Sequence, residues 1–217
     1  MTNAAGQQVA VVSSTTRDLP AHRREVAEAC RAARVLALMM EDLPASSTGA
    51  IDNSLGLVRD ARVYIGIYAF RYGTVPAGRD RSITEMEFDW ACAMKLEMLV
   101  FVMDRSHPIT IDQVEATQEA QDALERLKKR ARAVAHVKEF RSVDHLGRLV
   151  ESALRDLRER HEREELETLR RERQRLATQR EQKRLKDAAR RRGPAAPAGR
   201  GGMAAFKATL SRGLMPP

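Results

Sequence analysis

The chain has 217 residues, 43% of them hydrophobic and 31% charged, which suits one compact domain with an appendage rather than two large domains. Its two cysteines exclude a disulfide scaffold and a four-cysteine zinc site, and aromatics at 4% are too few for a base-stacking platform. A net charge of +8 suggests nucleic acid, yet residues 1–150 hold 20 Lys+Arg against 20 Asp+Glu, so the whole excess lies in 151–217, which hold 18 and 10.

A strand is expected over 8–12 (QVAVV), followed by a helix with Asp18 as N-cap, Pro20 in the first turn, and Leu19, Val26, Ala29, Cys30 and Ala33 at helical spacing. Then come a strand over 35–40 (VLALMM), a short helix over 52–61, a strand over 63–69 (VYIGIYA) and a helix over 84–95. A strand over 98–103 (MLVFVM), a charged helix over 116–132 and a fifth strand over 134–137, interrupted by His136, complete the alternation. Three of the strands are apolar almost throughout, as parallel strands covered on both faces require. Right-handed crossovers then predict an α/β, five-stranded, doubly wound sheet of flavodoxin-like order 2-1-3-4-5.

From about 142 to 192 the pattern predicts one long helix laced with opposite charges at i,i+4, such as Arg158–Glu162 and Glu167–Arg171. Its first third carries Leu146, Leu149, Val150, Leu154 and Leu157, which can close the last face of the domain. Beyond it, Leu166, Leu169, Leu176 and Leu185 keep no heptad register, so a solvated helix is expected rather than a regular coiled coil. The expected division is a domain over 1–150, a charged helix over 151–192 and a Gly/Pro/Ala-rich tail over 193–217, in which 203–214 is either a short amphipathic segment or unstructured. Residues 171–192 hold ten Lys+Arg and three Asp+Glu, which keeps a phosphate backbone or anionic surface open as a partner. No stretch approaches 18 apolar residues and the first eight lack a leader's basic and apolar regions, so no membrane association and a cytoplasmic location are expected.

In an open parallel sheet the ligand crevice lies beyond the carboxyl ends of the strands where the order reverses, here between the first and third. Two loops meet there. One reads Ser13, Ser14, Thr15, Thr16, Arg17, Asp18, and the other runs from Arg71, Tyr72 and Gly73 to Ser82, Thr84, Glu85 and Glu87. The first loop offers hydroxyls before a helix start, suited either to an anion or to plain capping. Lacking a glycine-rich cradle ending in GKS or GKT it is no P-loop, and no GxGxxG follows any strand. Arg71 either aims into the crevice or ties the loops together through Asp18 or Glu87. Ser82–Glu85 and Thr84–Glu87 each match a capping box, and two residues apart the glutamates point about 200° from one another, so they cannot share a proton. The geometric expectation is that the hydroxyls near position 14, the guanidinium of Arg71 and the carboxylate of Glu87 converge on one pocket. The histidines His22, His107 and His136 lack metal-ligand spacing.

Residues 9–19 (VAVVSSTTRDL), 40–45 (MEDLPA), 63–74 (VYIGIYAFRYGT) and 82–91 (SITEMEFDWA), followed by 98–104, resemble the prokaryotic domain-of-unknown-function 4062 family over roughly 8–150, with RYG followed by S-x-T-E-x-E as the most specific part. The resemblance implies a TIR-like or nucleoside-deoxyribosyltransferase-like fold and a setting at the N-terminus of signalling or defence ATPases. TIR domains that cleave NAD use one glutamate on the helix after strand three, with a small residue one turn later; Glu87 followed by Ala91 matches this better than Glu85, although the WCxxE signature is absent. Two functions follow as expectations. One is a non-catalytic interaction module that joins a second copy or a partner protein through the long helix. The other is a nucleotide N-glycosidase with Glu87 as the catalytic carboxylate, Ser13, Ser14, Thr15, Asp18, Arg71, Tyr72, Gly73, Ser82 and Thr84 as ligand contacts, no metal, and NAD as substrate rather than cofactor.

Overall fold

A computed structural model describes residues 8–42 and 49–191. The expected linker and terminal segment over 193–217 lie outside these residues. Five parallel strands run β1 (Gln8–Ser14), β2 (Val35–Leu38), β3 (Val63–Tyr68), β4 (Glu97–Met103) and β5 (Lys138–Phe140), ordered β2-β1-β3-β4-β5. The helices between them are α1 (Pro20–Ala32), α2 (Ala50–Asp60), α3 (Ile83–Ala93) and α4 (Gln118–Val134), and α5 (Val143–Arg191) follows β5. The architecture is the doubly wound, flavodoxin-like one expected from the apolar runs. Among the described residues no helix is long and apolar enough to cross a membrane.

The sheet divides its side chains by strand period. Ala10, Val12, Val63, Ile65 and Ile67 face a core shared with α1 and the start of α5, where Leu146, Val150, Leu154 and Leu157 are buried. Val11, Tyr64, Tyr68, Val100 and Val102 face the other core, built with Leu57, Val58, Phe88 and Leu127. The chain forms two compact units, Met1–Arg163 and Glu164–Pro217. The first includes these helix leucines together with Arg160 and His161, which reach Glu97 at 3.6 and 3.4 Å. In the second, every described side chain is exposed, including Leu166, Leu169, Leu176 and Leu185.

Two local expectations are corrected. The fifth strand is not 134–137: α4 continues to Val134, and the polar triplet at Lys138–Phe140 pairs with Phe101–Met103. Lys138 and Glu139 are exposed there while Phe140 is fully buried, the charged pattern of an edge strand. Asp18 is not the cap of α1, because the N-cap position falls on Leu19, with no side-chain hydrogen bond, and Pro20 starts the helix.

Gly66 sits opposite Ser13 in the β1–β3 register, on the face carrying Tyr64 and Tyr68. A Cβ there would stand 2.7 Å from Tyr64 Cε1 and 3.0 Å from the Tyr68 hydroxyl oxygen. Gly66→Ala is therefore expected to destabilise the domain by about 1–3 kcal/mol through overpacking. Urea unfolding should show a lower midpoint with an unchanged slope, whereas an unaltered midpoint would mean that the rings yield freely.

Candidate functional site

The end of β1 aims two serines in opposite directions. Ser13 points toward α3, where its hydroxyl donates to Glu87 Oε2 at 2.5 Å. Ser14 turns toward α1, where its Oγ accepts from Arg23 Nη1 at 2.7 Å. Arg23 also makes a two-pronged pair with Glu41, from Nε to Oε1 at 2.7 Å and from Nη2 to Oε2 at 2.5 Å. Burial raises the Glu41 carboxyl, but the hydrogen bonds and charge of Arg23 outweigh it and leave the group below its usual range. The guanidinium is committed to protein partners and holds the β1 end against the turn after β2.

Beside these groups opens a cavity of about 420 Å³, within the range of small-molecule sites. Of the residues expected from the sequence, Ser14, Thr15, Arg71, Gly73, Thr84 and Glu87 line it. The serine, the guanidinium and the carboxylate named as convergent thus share one wall system. Glu87 is only 5% exposed. Burial pushes its carboxyl above the usual range, partly offset by the hydrogen bond from Ser13, by the nearby Ser54 hydroxyl and by the charge of Arg23.

Arg71 does not bridge to Asp18 or Glu87. It donates from Nη1 to the Asp112 carbonyl at 2.9 Å and lies 3.9 Å from Glu115. The other oxygen of Glu115 accepts the backbone N–H of Tyr72 at 2.7 Å and of Gly73 at 3.1 Å. One carboxylate therefore organises the whole RYG turn. Gly73 has φ +97°, and a Cβ would come 3.1 Å from Thr15 Cγ2, so both the conformation and the close approach call for glycine.

Four expected contacts do not line the cavity. Ser13 lies behind Glu87 and touches the site through it. Asp18 is buried on the other side of the loop, in a small separate cavity with His22 and His107. Its oxygens and the Thr15 hydroxyl facing them make no hydrogen bond of full geometry among the described residues. Burial raises the Asp18 carboxyl, with Thr15 and the charge of Arg71 opposing. His22 is lowered to about 4 by burial and by His107, whose ring lies 5.7 Å away. Tyr72 packs with Ala123 and Leu124 of α4 and donates its hydroxyl to Glu85. Ser82 caps α3 by accepting the Glu85 N–H at 3.2 Å.

Neither glutamate completes a capping box. The Ser82 N–H is taken by the Tyr72 hydroxyl at 3.3 Å, and Glu85 turns its carboxylate to Arg130 at 2.6 Å and to Tyr72. Glu87 faces the sheet. Arg17 of the expected crevice loop also lines the cavity, as do Arg23, Met40 and Glu115, which the crevice loops read from the sequence do not include. Arg23 did leave a signal, a charged residue between Leu19 and Val26 on the apolar stripe of α1. Glu115 left none, since it arrives from a loop more than 40 residues away. Among the described residues no group of three or more His, Cys, Asp or Glu is arranged to hold a metal ion.

A family described as Domain of unknown function (DUF4062) matches residues 10–155. No curated protein matches the sequence. Among solved structures, the TIR domains of the activated Roq1 resistosome are 8% identical, with 69% of this chain and 99% of that one covered at a TM-score of 0.49. The CMP N-glycosidase BcmB of Clostridium botulinum is 9% identical, with 65% and 96% covered at 0.41. The 2-desoxiribosyltransferase from Leishmania mexicana is 18% identical, with 52% and 77% covered at 0.34.

Proposed function

We propose, for a chain that belongs to the DUF4062 family, that the crevice is a nucleotide N-glycosidase site with NAD as its candidate substrate. The observation that carries the reading is the buried carboxylate of Glu87 on the wall of a cavity that also presents Ser14, Thr84 and Arg71. Cleaving an N-ribosidic bond builds positive charge at the anomeric carbon, and a carboxylate in a water-poor setting stabilises that charge far better than one in bulk water. Nicotinamide leaves as a neutral base, so no acid is needed to protonate it. Water takes its place on the ribose and releases one proton, giving ADP-ribose.

In this reading the hydroxyls of Ser14 and Thr84 bind ribose hydroxyls. Arg71, and the exposed Arg17 on the same cavity, balance the diphosphate. Purified protein mixed with NAD should release nicotinamide, followed by chromatography. No release at high protein concentration, in conditions that favour assembly, counts against the reading.

A second reading, as an interaction module, is favoured by the leucines of 164–191, Leu166, Leu169, Leu176 and Leu185, all of which are exposed among the described residues. If this helix joins a second copy, light scattering of the full chain should report a dimer or larger species. Replacing Leu166, Leu169 and Leu176 with serine should then return it to the monomer mass; a full chain that is monomeric at every concentration tested removes that reading.

A further inference from the structure

Tyr64 and Tyr68 are both fully buried, where phenylalanine would fill the same space without a hydroxyl to satisfy. Their hydroxyl oxygens lie 2.9 Å apart across Gly66. The Tyr64 hydroxyl in turn faces Ser13, and Ser13 donates to Glu87 at 2.5 Å.

The protons can be counted along this row. Each hydroxyl has one to give, and an ionised carboxylate has none. Ser13 gives its proton to Glu87, so toward the Tyr64 hydroxyl that faces it Ser13 can only be an acceptor, and a Tyr64 proton directed at Ser13 leaves Tyr64 able only to accept from Tyr68. The row has one direction, Tyr68 to Tyr64 to Ser13 to Glu87, with the carboxylate as terminal acceptor. Protonating Glu87 on the oxygen facing Ser13 would reverse every bond and leave the Tyr68 proton aimed at apolar surroundings.

We infer that Tyr64 and Tyr68 are positioning residues for Glu87, holding its carboxylate oriented and ionised through the Ser13 hydroxyl. Hydrogen bonds in such a row polarise one another, so each hydroxyl behind Ser13 strengthens the final bond. The inference deepens the N-glycosidase reading and rests on it only for its catalytic consequence. The other groups facing Glu87 are Arg23 of α1, Glu41 of the turn after β2 and Ser54 of α2; Cys92 of α3 faces the tyrosines. None of them completes the row.

The test is an infrared titration of the ligand-free full chain, following the carboxylic-acid C=O band that Glu87→Gln removes. In Tyr64→Phe the midpoint of that band should move up by about one pH unit, because the carboxylate loses support. Tyr68→Phe should shift it in the same direction by less. The acid limb of nicotinamide release should move with it. An unchanged or lowered midpoint in the folded Tyr64→Phe variant overturns the inference; if that variant does not fold, an unmoved midpoint in Tyr68→Phe does so. Upward shifts in a protein that never releases nicotinamide would sustain the row and sink the N-glycosidase reading.

Discussion

Glu87→Gln is expected to abolish nicotinamide release and, above neutral pH, to make the domain more stable. Loss of one preorganised group facing developing charge lowers turnover by about 10²–10³-fold, and glutamine keeps the shape and still accepts from Ser13. The stability effect follows from burial, which raises the Glu87 carboxyl above its usual value of 4.5. A carboxyl whose pKa is raised on folding binds its proton more tightly in the folded state than in the unfolded one. Its favourable contribution is complete below the unfolded value and is lost as pH climbs through the folded one, where burying the charge becomes a cost. Glutamine carries no such charge. The variant should therefore gain about 0.5–2 kcal/mol at pH 8, in the range seen when a functional compromise is relieved, and the gain should vanish toward pH 4. Thermal unfolding at several pH values, beside the nicotinamide assay, checks both halves. A variant that is less stable at pH 8 and equally active would make Glu87 an ordinary buried residue.

This opposition between stability and chemistry explains which parts of the site are legible in sequence. The strands are long apolar runs, so β1, β3 and β4 stand out, and their alternation with helices leaves few topologies. The distinction between Glu85 and Glu87 is also legible, because positions two apart on a helix face opposite ways. What sequence spacing does not reveal is partner choice. Arg71 finds Glu115 rather than Asp18, since a loop with no apolar period folds back over the RYG turn. Tyr72, read as a site residue beside a glycine, is drawn into α4 because its ring can be buried while its hydroxyl meets Glu85. β5 is missed for a related reason. Its polar residues suit an edge, while of the preceding apolar residues Val134 ends α4 and Ala135 and Val137 pack against the core from the connection that follows.

Ending the chain after residue 150 is expected to prevent cooperative folding, whereas ending it after 163 should leave the domain's melting behaviour intact. Leu154 and Leu157 lie beyond the shorter end, yet both are fully buried against the sheet with Phe140 and Val150. Each such leucine contributes about 2–5 kcal/mol, so the pair removes an amount comparable with the whole stability of about 5–15 kcal/mol typical of a domain. The Arg160 and His161 contacts to Glu97 are lost as well, though at half-exposed positions they add little. From Glu164 to Arg191 every described side chain is exposed, so removing these residues takes away no buried side chain. Circular dichroism melts of the two truncated chains separate the cases. A shorter chain with a melting transition like that of the longer one would mean that the sheet closes its core without the second half of this leucine row.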